Sequence, residues 1–342
     1  MPKQSSPNIL LLLGPTDPIL LRQQSNVDIQ KLAASLPTVI KAALAPKTSS
    51  KYERAWSLWK SFCYDNPGIA ARPADPFYIA VYFNYILTSK NSRGAIVDAY
   101  FGIRWGHHSS GFHSPTDHPF VKLAFEGSKR LARFKGSNKK DPMTATMIRK
   151  LYFEYGSDKN LLNQRFLIIC ILGFAGFMRT NEMLALKVEH IKFYATYMSI
   201  FLPSCKTDQL REGNTIVISK INSLCCPVSM VKGYIKLAEL RPGDYLICKL
   251  VATKKGHKVI GSHSLSYSRT RAIFLKFTEP IFPGHNLGLH GLRAGGASTS
   301  SSNNVHDRLI SKHGRWRSDK ARDGYIRPTL QEKLFVTKNL GL

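Results

Sequence analysis

The chain has 342 residues, 43% of them hydrophobic and 11% aromatic, which allows two domains with cores of their own and excludes general disorder. Its 49 Lys and Arg against 22 Asp and Glu give a formal net charge of +27, too large for a small-molecule enzyme with no polyanionic partner. Nucleic acid is the partner this charge favours, ahead of an anionic membrane surface. No apolar run reaches the ~18–20 residues that a membrane span needs.

Residues 1–27 are mixed and polar, and a loosely ordered tail is expected there. The apolar run at 9–13 is broken by Gly14 and Pro15, so no secretory signal is expected. Over 28–44, Ile29, Leu32, Leu36 and Ile40 recur at helical spacing, with Pro37 expected to divide the helix in two. Residues 46–50 read as a break, and Ser50-Lys51-Tyr52-Glu53 as the capping box of a helix carrying Tyr52, Trp56, Trp59 and Cys63 on one face. Asn66-Pro67-Gly68 ends that helix, Asp75-Pro76 opens a second, and Ser92 caps a third bearing Ile96, Val97, Tyr100, Ile103 and Trp105. The loop 107–119 holds His107, His108, His113 and His118, but without a metal-ligand spacing it reads as a helix–helix connection. A last helix over 121–134 turns basic at its end.

Lys129, Arg130, Arg133, Lys135, Lys139 and Lys140 crowd the approach to Asp141-Pro142. In so cationic a chain they read as a strap along a phosphate backbone, where each contact releases counterions. Beyond the strap, Thr144 caps a helix, and 163–177 is apolar enough to be the central helix of a second domain. That helix delivers Gly176-Phe177-Met178-Arg179 as a turn, and a short helix restarts at Thr180. Residues 197–202 and 215–218 alternate as strands, 224–240 reads as helix, and 245–248 as a short buried strand. Helices are expected over 269–277, 289–300, 305–312 and 318–325, with a short one within 332–342. The six cysteines form neither a Cys-x-x-Cys pair nor a metal spacing, so a reduced, intracellular compartment is expected.

Chemistry concentrates near the C-terminus. His290-Gly291-Leu292-Arg293 puts an imidazole and a guanidinium on one helix face, where both can address one phosphate. The guanidinium forks onto two phosphate oxygens and keeps its charge at any working pH. Tyr325 is a candidate nucleophile; its hydroxyl, with a free pKa of ~10, needs cationic surroundings to attack at neutral pH. Upstream, Arg179 has a carboxylate, Glu182, three residues on, and Lys206 lies between two strand-like runs in Ser204-Cys205-Lys206-Thr207-Asp208-Gln209. The order Arg, Lys, His-x-x-Arg, His or Trp, Tyr resembles the active-site order of the tyrosine recombinases, the phage-integrase family.

The resemblance implies a fold that is mostly α with a small antiparallel sheet. An all-α, SAM-like core-binding domain would span 28–135, a basic linker 136–142 and an α+β catalytic domain 143–330. Residues 331–342 would form a C-terminal tail able to dock on a neighbour, and the two domains would close as a C-shaped clamp on double-stranded DNA. Tyr325 would attack a phosphate held by Arg179 and Arg293, leaving a 3′-phosphotyrosyl link and a free 5′-hydroxyl. Glu182 would orient Arg179, Lys206 would protonate the departing oxygen, and His290 would shuttle a proton or donate a hydrogen bond. Clustered cations would stabilise the pentacovalent transition state, and no metal, ATP or other cofactor is implied. Trp316 precedes Tyr325 by nine residues, the family's usual separation, and His313 by twelve; Trp316 is therefore assigned and His313 left as a helix-end residue. A homotetramer on paired DNA sites is implied.

The Lys-Thr-Asp-Gln and Gly-Arg-Trp combinations look closer to recombinases of DIRS- and Crypton-like mobile elements, which would place the protein in a nucleus if its host is eukaryotic. Two other classes stay open: a catalytically silent DNA-binding protein of mobile-element origin, and a type IB topoisomerase-like nicking-closing enzyme.

Overall fold

The computed structural model describes residues 27–133, 139–203, 213–254 and 256–341, in two compact units divided between residues 138 and 139. The expected tail at 1–26, Lys135 and Lys206 lie outside the described residues.

The first unit is helical. Helix α1, Val27–Ala42, runs unbroken through position 37, so the proline removes one backbone bond without dividing the helix. Helix α2, Pro46–Asp65, starts four residues before the expected capping box. Proline suits the first helical position because an N–H there has no intrahelical partner to lose. Residues 46–50 are therefore the first turn, and Ser50 and Glu53 lie inside the helix. Helix α3, Pro76–Lys90, is capped by Asp75, whose carboxylate accepts from Phe77 N at 2.7 Å, and α4, Arg93–His108, by Ser92. A 3₁₀ turn, Pro115–Asp117, leads into α5, Pro119–Leu131. Trp59, Ile79, Phe83, Ile96, Ile103 and Val121 are completely buried between these helices. His107 is also buried: Nδ1 donates to Ile103 O at 2.8 Å and Nε2 accepts from Ala74 N at 3.1 Å. Burial pushes its pKa down, and both nitrogens serve the fold in the neutral form.

The second unit is built around α7, Leu161–Ala175, which follows α6, Ala145–Tyr155. Residues 165–173 are all buried, as expected of an apolar central helix. Helix α8, Thr180–Leu184, follows a tight turn and leads to an antiparallel sheet in the order β1-β2-β3. Its strands are Ile191–Phe193, Tyr197–Leu202 and Asn214–Ser219; the first, only three residues long, has no alternation to read. After α9, Pro227–Leu237, a two-stranded antiparallel hairpin pairs β4, Cys248–Thr253, with β5, Gly256–Ser264. The strand expected over 245–248 is instead an isolated bridge at Tyr245 followed by a turn, and β4 begins only at Cys248; Lys, His and Ser beyond it leave no apolar face to read. Helices α10, Tyr267–Thr278, α11, Leu289–Ser302, α12, Asp307–Gly314, α13, Asp319–Asp323, and α14, Leu330–Lys338, complete the unit. The fold is thus mostly α with small antiparallel sheets.

Helix α11 owes its position to glycine. A Cβ at Gly295 would overlap the Met143 carbonyl, and one at Gly296 the Phe174 carbonyl, so the helix axis comes unusually close to both segments. Met143 N donates to Gly291 O at 2.9 Å, and Asp141 N to Asn286 O at 3.0 Å. Residues 139–142, expected as linker, are therefore stitched into the second unit. No helix among the described residues is long and apolar enough to cross a membrane.

Candidate active site

The turn after α7 puts Phe177 in the left-handed region (φ 45°) and leaves Arg179 as the N-cap of α8. Glu182, in the first turn of that helix, grips Arg179 twice. Its Oε2 accepts from Arg179 N at 2.8 Å, and its Oε1 from the guanidinium at 2.7 Å. The same carboxylate takes a second cation, Arg315, at 2.8 Å. Burial alone would raise the Glu182 pKa, but the Arg315 charge and the Arg179 bonds outweigh it and hold the pKa below its ordinary value.

Arg293, on α11, is fully buried and donates to the carbonyls of Phe177 and Gly314. Its guanidinium carbon lies 4.5 Å from the Trp316 ring centroid and 5.0 Å from that of Tyr325, within cation–π range. Burial first, then Arg179 and Arg315 beside it, push its pKa down. A guanidinium nevertheless stays charged at neutral pH. One turn earlier on α11, His290 Nε2 lies 3.1 Å from the Tyr325 hydroxyl. The Trp316 and Tyr325 rings meet at 5.1 Å and 44°.

Tyr325 follows α13, and its segment is tied down on both sides. Tyr325 N donates to Arg322 O at 2.8 Å, while the Arg322 guanidinium reaches Asp307 at the start of α12 and Asp319 at the start of α13. Just beyond, Arg327 N donates to Ser298 Oγ on α11 at 2.8 Å.

Arg179, Glu182, His290, Arg293, Trp316 and Tyr325 are therefore brought together, whereas Lys206 lies outside the described residues. His313 points elsewhere: its Nε2 bonds to Ala175 O at 2.8 Å and its ring stands edge-on to Phe177. Burial lowers its pKa, so it stays a neutral tie on the end of α7. Sequence reading assigned no role to Arg315; its destination, a carboxylate 133 residues away, appears only in the fold.

Three guanidiniums around one buried carboxylate leave the site net positive. Arg293 Nε and Trp316 Nε1, both beside Tyr325, are buried with no hydrogen-bond partner among the described residues. The geometry offers an anion fixed donors next to a hydroxyl that has an imidazole at hand.

The basic residues are less uniform. Lys129, Arg130 and Arg133 belong to the first unit, and Lys139 and Lys140 to the second. Lys129 Nζ lies 2.5 Å from Glu126 and over the Phe125 ring, and Lys140 Nζ bonds to Asn286.

No protein-family model matches the chain. It is 23% identical over 306 residues to an integrase/recombinase XerD homolog of Selenomonas ruminantium, covering 87% of this chain and 86% of that protein. The fold agrees with that of the Tn1549 transposon integrase solved with transposon right end DNA (TM-score 0.57, 10% identity, 98% and 99% of the two chains covered). It also agrees with that of a lambda integrase dimer bound to a core site (TM-score 0.54, 13% identity, 88% and 95% covered). The chain is thus similar over most of its length to a recombinase of the tyrosine recombinase/integrase class and shares the fold of two integrases. Tyrosine recombinases are enzymes that cut and rejoin DNA strands, and their fold accounts for both units of this chain.

Proposed function

We propose that this chain is a tyrosine recombinase, a site-specific DNA recombinase or integrase of mobile-element origin that works through a 3′-phosphotyrosyl intermediate. The observation that carries the reading is the Tyr325 hydroxyl 3.1 Å from His290 Nε2, beside the buried Arg293 guanidinium. In the proposed reaction the scissile phosphate of double-stranded DNA sits among Arg179, Arg293 and Trp316. The two orphaned donors support this, since an unpaired buried donor costs about 1–3 kcal/mol that a phosphate oxygen would offset. Tyr325 oxygen bonds to phosphorus as its proton passes to His290, and the bond to the 5′-oxygen breaks. Lys206, by the family resemblance, protonates that oxygen. A free 5′-hydroxyl later reverses the steps and rejoins the strand, so bond energy is conserved without ATP.

Assembly as a tetramer on two sites is part of the proposal. Helix α14 supports it, exposing Leu330, Leu334, Phe335 and Val336 with none of its residues buried.

The test is to incubate the full chain with a library of nicked duplexes, trap covalent protein–DNA adducts under denaturing conditions, and sequence the DNA. Attachment mapped to Tyr325, at a defined sequence and absent in Tyr325→Phe, is the expected result. Adducts with no exchange between paired sites would indicate a nicking-closing enzyme. Sequence-specific binding without any adduct would indicate a silent DNA-binding protein.

A further inference from the structure

Arg315 stands out among the buried charges because the backbone resists it. Its φ of 57° lies in the left-handed region that side chains other than glycine rarely adopt, and nevertheless the position carries a long, buried cation. The side chain has a definite task there. Its NH2 group bonds to Glu182 Oε2 at 2.8 Å and to Phe177 O at 3.0 Å, and NH1 to His313 O at 2.8 Å. One side chain thus links the end of α12 to the turn after α7 and to the first turn of α8. The other Glu182 oxygen carries the Arg179 guanidinium.

Arg179 bonds to both Glu182 oxygens, but through its own backbone N–H and guanidinium, so those bonds tie the carboxylate only to residue 179. Arg315 adds a bond on Oε2 that anchors the carboxylate to the end of α12 and to the turn after α7. We infer that Arg315 is a positioning residue of this site, holding Glu182, and through it the Arg179 guanidinium, in the orientation that engages the scissile phosphate. This inference rests on the proposed recombinase chemistry.

Among the described residues, the charged groups that act on Glu182 are cationic: Arg179 at the N-cap of its own helix, Arg315 after α12 and Arg293 on α11. Removing Arg315 therefore leaves a buried carboxylate with a raised pKa. Below that pKa, Arg179 loses its orienting charge.

Glycine adopts the backbone of position 315 without strain, so Arg315→Gly removes the side chain and keeps the turn. The experiment measures single-turnover adduct formation on the nicked duplex recovered by trapping with the wild-type chain. The expected rate falls roughly 100-fold, the scale of a misplaced reacting group, while the duplex dissociation constant stays within a few-fold. The acid limb of the rate profile should move to higher pH, and Arg315→Lys should recover part of the rate. In a Glu182→Gln background, Arg315→Gly should add little further loss, because its effect runs through that carboxylate. An Arg315→Gly chain that cleaves at the wild-type rate, or one that loses as much in the Glu182→Gln background, overturns the inference. A DNA-free readout separates this from the wider proposal. The Arg179 Nε–H signal of the folded chain, sharp in the wild type, should broaden or move in Arg315→Gly; an unchanged signal overturns the positioning role even if no duplex is ever cleaved.

Discussion

His290 Nε2 and the Tyr325 hydroxyl oxygen lie 3.1 Å apart, although the residues belong to separate elements, the start of α11 and the turn beyond α13. That distance is within direct proton-transfer reach. The tyrosine is not isolated in this pose, since its ring also covers the Arg293 guanidinium. The imidazole gives the hydroxyl proton somewhere to go. His290→Gln keeps a polar side chain of similar reach but takes up no proton. Its single-turnover cleavage should fall about 10²–10⁴-fold, the usual contribution of a positioned acid or base, with DNA binding within a few-fold. Cleavage at the wild-type rate would leave the imidazole as a spectator.

Salt dependence should sort the basic residues. Lys129 is already paired with Glu126, and Lys140 with Asn286, whereas Arg130, Arg133 and Lys139 have no acidic partner among the described residues. Neutralising Arg130, Arg133 and Lys139 together should flatten the slope of log affinity against log salt. The change should be about 0.9 for each DNA phosphate left without its cation, with site preference unaltered. Neutralising Lys129 and Lys140 should change it less. Equal slopes for both variants and the wild type would mean that the run is only a solvated surface.

The Arg–carboxylate spacing at 179 and 182 and the His-x-x-Arg turn were legible because each is local. Residues three apart on a helix share a face, and a carboxylate at N3 reaches back to the N-cap residue, so the sequence carries both geometries by itself. Arg315 was not legible, because its αL backbone and its distant carboxylate partner arise only once α12 meets α8. The β4–β5 hairpin escaped for another reason. Strand patterning is read from one apolar face, and Lys249, His257, Lys258 and His263 leave it none. The start of α2 was misplaced because a proline-led first turn looks the same as a loop until the rest of the helix is seen.

Stability should depend on pH through two histidines, the buried His107 in one unit and the half-buried His313 in the other. Burial lowers the pKa of both His107 and His313 in the folded chain. Above the unfolded value of ~6.5 both states are neutral and the contribution is complete. As pH falls below ~6.5 the unfolded chain takes up protons that the folded chain refuses, so stability declines toward the folded pKa. The slope is at most about 1.4 kcal/mol per pH unit for each histidine. Replacing either by Gln should flatten the dependence of the denaturation midpoint on pH between about 7 and 5.5. Glu182, whose folded pKa is depressed, loses its contribution at lower pH, as the pH falls from the ordinary carboxylate value through the folded pKa. A His313→Gln chain with an unchanged pH slope would mean that its ring is already solvated.

Trp316 and His313 can be told apart by separating packing from hydrogen bonding. Trp316 is almost fully buried, with its ring against Arg293, Phe177 and Tyr325 and its Nε1 without an acceptor among the described residues. His313 already has its acceptor, the Ala175 carbonyl. If the indole N–H is held for the phosphate, Trp316→Phe keeps most of the ring packing and removes the donor. It should therefore lose cleavage by ~10²–10³, the loss seen when an oxyanion-hole donor is deleted, with little loss of stability. Trp316→His should recover part of that rate, since an imidazole N–H can replace the donor. Trp316→Ala should also lose about 3–5 kcal/mol of stability from the cavity beside Tyr325. His313→Ala should do the reverse of Trp316→Phe, lowering stability by about 1 kcal/mol through one missing hydrogen bond while cleavage stays within a few-fold. Paired denaturation and single-turnover cleavage measurements on the four variants decide the matter. Full activity in Trp316→Phe beside a crippled His313→Ala would move the phosphate donor from the indole to the imidazole.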